Sequence, residues 1–134
     1  MIDMETEIFN EVSERVREQY PDIFMTGEYV KTPPSFPCIS LVEVDNATFR
    51  NSQTTEGQEN HVAVVYELNV YSNRTKGKKA ECKELAGFVD EILMGLNFTR
   101  TMLEPVPNQD NATIYRMLGR YRAVIGKTNT IFRR

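Results

Sequence analysis

The segment from His61 to Leu96 constrains the fold most, because it sets two different hydrophobic periods back to back. From His61 to Tyr71, Val62, Val64, Tyr66, Leu68 and Val70 alternate with Ala63, Val65, Glu67, Asn69 and Tyr71. A period of two places these sets on opposite faces of a strand. The first half is apolar on both faces and the second turns polar on one, the pattern of a strand covered on both sides at its apolar end. Ser72 to Lys79 (SNRTKGKK) breaks the alternation with polar residues and a glycine. Beyond it, Cys82, Leu85, Phe88, Val89, Ile92, Leu93 and Leu96 recur at steps of three and four, the apolar stripe of a helix laid on a core. Lys79, Glu81, Lys83, Glu84, Asp90 and Glu91 fill much of the other side. A strand therefore feeds a helix that can fold back and cover it.

The flanking segments extend the pattern. Met4, Ile8, Val12 and Val16 stand at steps of four within Ile2 to Tyr20, which predicts an amphipathic helix ended by Pro21. A short strand is expected in Ile23 to Val30, weakened by Gly27, and a proline-rich connector in Thr32 to Pro37. Cys38 to Asp45 reads as the next strand. Asn46 to Asn60 is polar between two strands, so a long hairpin loop is expected, with Phe49 and Arg50 its only bulky residues and candidates for contact with a neighbour. After the central helix, Gly95 and Asn97 end the period and Phe98 is expected to tuck back onto the core. Thr99 to Asn111 starts extended and ends as a loop, and Ala112 to Ile125 is the last long strand. Residues 127–134 are a tail or a further short strand. The expectation is one α+β domain spanning residues 1–134: a mixed or antiparallel sheet of about four to five strands with two main helices packed against it.

A chain of 134 residues is the usual size of one domain. It holds no apolar run near the roughly 20 residues that span a bilayer, so no membrane partner is expected. MIDMETEIFNE is acidic where a secretion signal is basic, so the protein is expected to act without export. Cys38 and Cys82 lack sequence neighbours that would make a metal site, and buried reduced thiols are expected. Four Asn-x-Thr triplets, at Asn46, Asn73, Asn97 and Asn111, read as turn chemistry.

Charge is divided along the chain. Residues 1–60 hold 12 acids and 4 bases, a net −8, whereas residues 61–134 hold 7 acids and 12 bases, a net +5. From Ala112 onward Arg116, Arg120, Arg122, Lys127, Arg133 and Arg134 stand without an acid. Within one domain, such a division either gives surfaces of opposite sign, suited to head-to-tail association, or is neutralised inside the monomer. Alternation places Arg116, Arg120 and Arg122 on one face of the last strand, where they are candidates for a subunit interface or for a surface lining a DNA passage.

Signals for catalysis are absent. His61 has no clustered Cys/His company and reads as a structural or surface residue. Gly126-Lys127-Thr128 would need a glycine at the position of Tyr121 to be a phosphate loop. No cofactor or metal is expected, and the chain does not read as an enzyme. The basic cluster Arg74, Lys76, Lys78, Lys79 and Lys83, with Tyr115 and Tyr121 near the arginines, leaves open a small nucleic-acid-binding protein, against which stands a sequence pI near 5.3.

The acidic N-terminal helix, the long polar hairpin loop, VAVVYELNVYSN, the basic turn, AECKELAGFVDEILMGLNF, TRTMLEPVPN and ATIYRMLGRYRAVI together resemble the tail terminator, or tail completion, proteins of long-tailed bacteriophages and prophages. The similarity runs over most of the chain from Pro37. It implies a structural virion protein assembled in the bacterial cytoplasm, closing into a homohexameric ring on the tail tube. There it would stop tube polymerisation and join the tail to the head-completion or neck protein, with passive contact to DNA in the channel. A head-side neck adaptor is the nearest alternative. On this reading, replacing Arg116 and Arg120 by glutamate is expected to abolish ring formation.

Overall fold

A computed structural model describes residues 1–48, 61–107 and 112–132. The element order is α1 (Glu5–Gln19), β1 (Phe24–Thr26), β2 (Cys38–Thr48), β3 (His61–Ser72), α2 (Lys78–Gly95), β4 (Thr99–Val106), β5 (Tyr115–Gly126) and β6 (Ile131–Phe132). The expected α+β domain with two helices is present. The described residues form six strands, more than expected, because two pairings are very short: β1 has three residues and β6 two.

The strands form one sheet in the order β1-β2-β3-β5-β4, with β6 also paired to β5. Only the β1–β2 pair is parallel. Strands β3 and β4 are both antiparallel to β5, which lies between them, so α2 crosses over β5 to connect them.

The alternation of β3 sets the core. Val62, Val64, Tyr66, Leu68 and Val70 are all buried, and across β5 they face Ile125, Ala123, Tyr121, Gly119 and Met117. The helices cover this face. Helix α1 contributes Ile8, Val12 and Val16, and α2 contributes Cys82, Leu85, Ala86, Val89, Ile92 and Leu93. Phe98 turns back as expected, with Asn97 at φ 72° and the Phe98 N–H donating to the Leu93 carbonyl at 3.0 Å. Its ring meets Tyr66 edge-on at 5.3 Å between centroids. The two thiols are buried, and Cys82 donates to the Tyr115 carbonyl at 3.4 Å.

Two differences from the sequence expectation, and one alternative it left open, have local causes. Strand β2 runs to Thr48 rather than stopping at Asp45, because a bulge between Glu43 and Asp45 breaks the alternation before pairing resumes at Asp45 opposite Val65. Asn46 to Thr48 therefore belong to the ladder and not to the hairpin loop. Of the tail or further short strand expected near the C-terminus, the strand is present as β6. The Gly126 N–H donates to the Thr130 carbonyl at 2.8 Å, and Ile131 and Phe132 then pair with Ile125 and Val124. Finally, the doubly covered end of β3 is its polar half. Asn69 and Tyr71 are 1% and 3% exposed, whereas Ala63 and Val65 are only half-buried. The connector after β1 must return along the sheet to start a parallel β2, and it does so over this end. Ser40 Oγ donates to the Glu28 carbonyl at 2.8 Å, and the Tyr71 hydroxyl donates to the Val30 carbonyl at 3.2 Å. Polar side chains there satisfy the connector's backbone, which an apolar face cannot do.

Candidate assembly interface on the open sheet face

The sheet face away from the helices is left partly open, and its side chains follow from the β3–β5 register. Arg116 lies opposite Tyr71, Leu118 opposite Asn69, Arg120 opposite Glu67, Arg122 opposite Val65 and Val124 opposite Ala63. All three arginines singled out in the sequence thus share one face. Their environments differ.

Arg116 is half-buried and held within the monomer. Its Nε donates to Asn69 Oδ1 at 2.9 Å, and its guanidinium carbon stands 5.7 Å from the centre of the Tyr71 ring. Burial pushes the Tyr71 hydroxyl above its ordinary pKa, and the Arg116 charge opposes that shift. Arg120 is exposed and pairs with Glu67 at 3.2 Å. Asn69 links the two, since its amide also donates to Glu67 Oε1 at 3.2 Å. Arg116, Asn69, Glu67 and Arg120 therefore form one hydrogen-bonded chain diagonal to the strands.

Arg122 stands outside that chain. It is exposed, its neighbour across β3 is the apolar Val65, and the nearest acid along the same row is Asp45 on β2. Two strand spacings of about 4.8 Å separate that pair, and no ion pair joins them. Beside Arg122 lie the half-buried Val65 and, one row on, the half-buried Ala63 and the buried Val124. The result is a small apolar strip with Arg122 at the end that adjoins the hydrogen-bonded chain, a guanidinium without an ion pair among the described residues.

The wider charge pattern follows the same division. Among the described residues the ion pairs are Arg15–Glu11, Arg74–Glu81, Arg100–Asp90 and Arg120–Glu67. None joins the acidic first half of the chain to the basic second half. Glu7, Glu11, Glu14 and Glu18 are exposed on α1, on the helix side of the sheet. Acids thus collect on α1, whereas the open face carries Asp45, Glu67 and Glu104 beside its three arginines, of which Arg122 has no ion pair among the described residues.

Phe49 and Arg50 lie outside the described residues, as does the rest of the loop through Asn60. His61 is half-buried, its ring 5.2 Å from that of Phe132. Among the described residues, no helix is long and apolar enough to cross a membrane. Sequence reasoning found the arginine face but could not separate Arg116 and Arg120 from Arg122, because their partners sit on β3, about fifty residues earlier in the chain. The chain matches no protein-family model, and no curated protein matches it at a significant level.

Proposed function

We propose that this is a structural, non-enzymatic subunit that closes into a ring of identical copies and caps the end of a bacteriophage tail tube. The observation that carries the reading is the placement of exposed acids on α1 and, on the opposite sheet face, of Arg122 with its apolar strip and no ion pair among the described residues. A contact between opposite faces of identical subunits is heterologous, and such contacts make rings where the rotation closes. The acidic helix α1 of one copy meets the arginine-bearing face of the next. Ala63, Val65 and Val124 supply the apolar centre of that contact, and Arg122 supplies a charged anchor at its rim. The tail tube, the head-completion protein and a hexameric stoichiometry come from the family resemblance, and the virion neck is the place of action it implies.

The test is tube growth. Purified protein added to polymerising tail tubes is expected to arrest elongation and leave a cap at one end of each tube by negative-stain microscopy. Tubes that elongate unchanged and carry no cap would sink the proposal.

One observation favours a second reading. Arg74, Lys76, Lys79 and Lys83 are exposed around the start of α2, and only Arg74 among them has an acidic partner, Glu81. A small DNA-binding protein would use this cluster against phosphates. Salt-sensitive DNA binding by the isolated monomer, with no effect on tubes, is the outcome that selects it.

A further inference from the structure

Far from the open face, on the helix side of β2, the start of the chain brings three carboxylates together. Asp3, Glu5 and Glu43 each present an oxygen, and these oxygens lie within 4.8 Å of one another. Asp3 is exposed while Glu5 and Glu43 are half-buried. The backbone explains why they meet. Asp3 Oδ1 accepts from the Glu5 N–H at 3.0 Å at the entry to α1, and Glu5 Oε2 accepts from the Glu43 N–H at 3.3 Å beside the β2 bulge. Asn46, just past that bulge, donates to the Ile2 carbonyl at 2.9 Å. One oxygen of Asp3 and one of Glu5 are thus spent on the backbone, leaving a second oxygen on each.

An acidic cluster alone says little, but here a buried phenol points into it. Tyr66 is fully buried and lies directly opposite Glu43 in the β2–β3 register, on the same face of the sheet. Among the described residues neither its hydroxyl nor the buried Glu43 Oε1 has a well-formed hydrogen bond, although the two groups lie close enough to bias each other's protonation. Two buried oxygens without well-formed hydrogen bonds beside two further carboxylates are an arrangement that protein groups alone leave unfavourable. Burial is the main cause raising the pKa of both groups; the nearby Tyr66 hydroxyl opposes the rise on Glu43, the Glu43 carboxylate adds to the rise on Tyr66, and the negative charges of Glu5 and Asp3 raise both. A cation relieves all of these at once.

We propose that Asp3, Glu5 and Glu43, completed by the Tyr66 hydroxyl, bind one calcium-sized divalent cation that clamps the entry of α1 to the β2 bulge. The donors are all oxygens, the chemistry of a hard cation rather than of zinc or copper. Carboxylate oxygens up to 4.8 Å apart can all reach one ion at the roughly 2.3–2.6 Å typical of calcium, with water filling the exposed side next to Asp3.

The experiment uses the full chain stripped of divalent ions. Calcium is titrated in by calorimetry, and terbium luminescence excited through tyrosine gives a second readout. The chain has no tryptophan, so sensitised emission comes from tyrosine. The expected result is one calcium site and a terbium signal that calcium displaces. Asp3→Asn and Glu43→Gln are each expected to weaken binding about tenfold or more, and Tyr66→Phe to cut the sensitised emission. Asp3 is exposed, so D3N keeps the test decisive even where the buried substitutions disturb folding. Equal calcium affinity in wild type and D3N would overturn the proposal, as would no binding at about 1 mM calcium. Stronger binding of magnesium than of calcium would overturn the size assignment.

Discussion

Glu67 is the joint of the open face, and removing it has a cost that can be worked from its two contacts. It accepts from Arg120 at 3.2 Å, where the arginine side chain is 51% exposed and the glutamate 15%. Such a pair contributes about 0.2–1 kcal/mol after solvent screening. Glu67 also accepts from the amide of the buried Asn69 at 3.2 Å, a bond with a net contribution of about 0.5–1.5 kcal/mol. Glu67→Ala should therefore destabilise the monomer by about 1–2 kcal/mol, a fall in Tm of roughly 3–8 °C for a chain of this size. Glu67→Gln keeps an acceptor and loses only the charge, so it should cost less than about 1 kcal/mol. Urea unfolding of both variants measures the difference, and a double-mutant cycle with Arg120→Ala should give a coupling of about 0.2–1 kcal/mol. If E67A is as stable as wild type, or the cycle shows no coupling while E67Q and E67A cost the same, the hydrogen-bonded chain described here is not holding the face.

Three further predictions follow from single sites. Gly77 sits at φ 81° at the start of α2, so Gly77→Ala should cost about 1 kcal/mol, whereas Gly87, exposed inside the same helix with open space around it, should gain about 0.4–1 kcal/mol on replacement by alanine; thermal unfolding of the two variants should move in opposite directions. Burial raises the thiols of Cys38 and Cys82 to about 11 and about 12, so native protein at pH 8 should resist iodoacetamide and label only in denaturant. The Glu43 carboxyl is raised by burial, so the folded state binds its proton more tightly than the unfolded chain; stability from this group is greatest at low pH and is lost as pH rises through its folded pKa. In chelator at pH 7, Glu43→Gln should accordingly raise Tm, and the advantage should shrink as the pH is lowered toward 4.

Most of the fold was legible where one period ran unbroken. The stripe of α2 and the alternation of β3 and β5 are long enough that their faces follow from spacing alone, and Pro21 ends α1 as expected. Legibility failed where a tertiary partner decides. The bulge at Val44 hides the continuation of β2, and the polar half of β3 is buried only because residues 27–37 return across it. The same limit applies to the sites. Three arginines at even spacing announce a shared face, but which of them is free depends on Glu67 and Asn69 on another strand. Asp3, Glu5 and Glu43 look like ordinary surface acids until the β2 bulge and Tyr66 bring them together.

The central claim is that Arg122 and the apolar strip beside it form one side of a ring contact. The direct measurement is cap occupancy on purified tail tubes, counted by negative-stain microscopy for wild type and for Arg122→Glu. Circular dichroism should show the variant folded, since Arg122 makes no ion pair among the described residues. Wild type should cap one end of most tubes and folded R122E should leave the ends bare. Caps at equal frequency with both proteins would contradict the account and move the contact off the open sheet face.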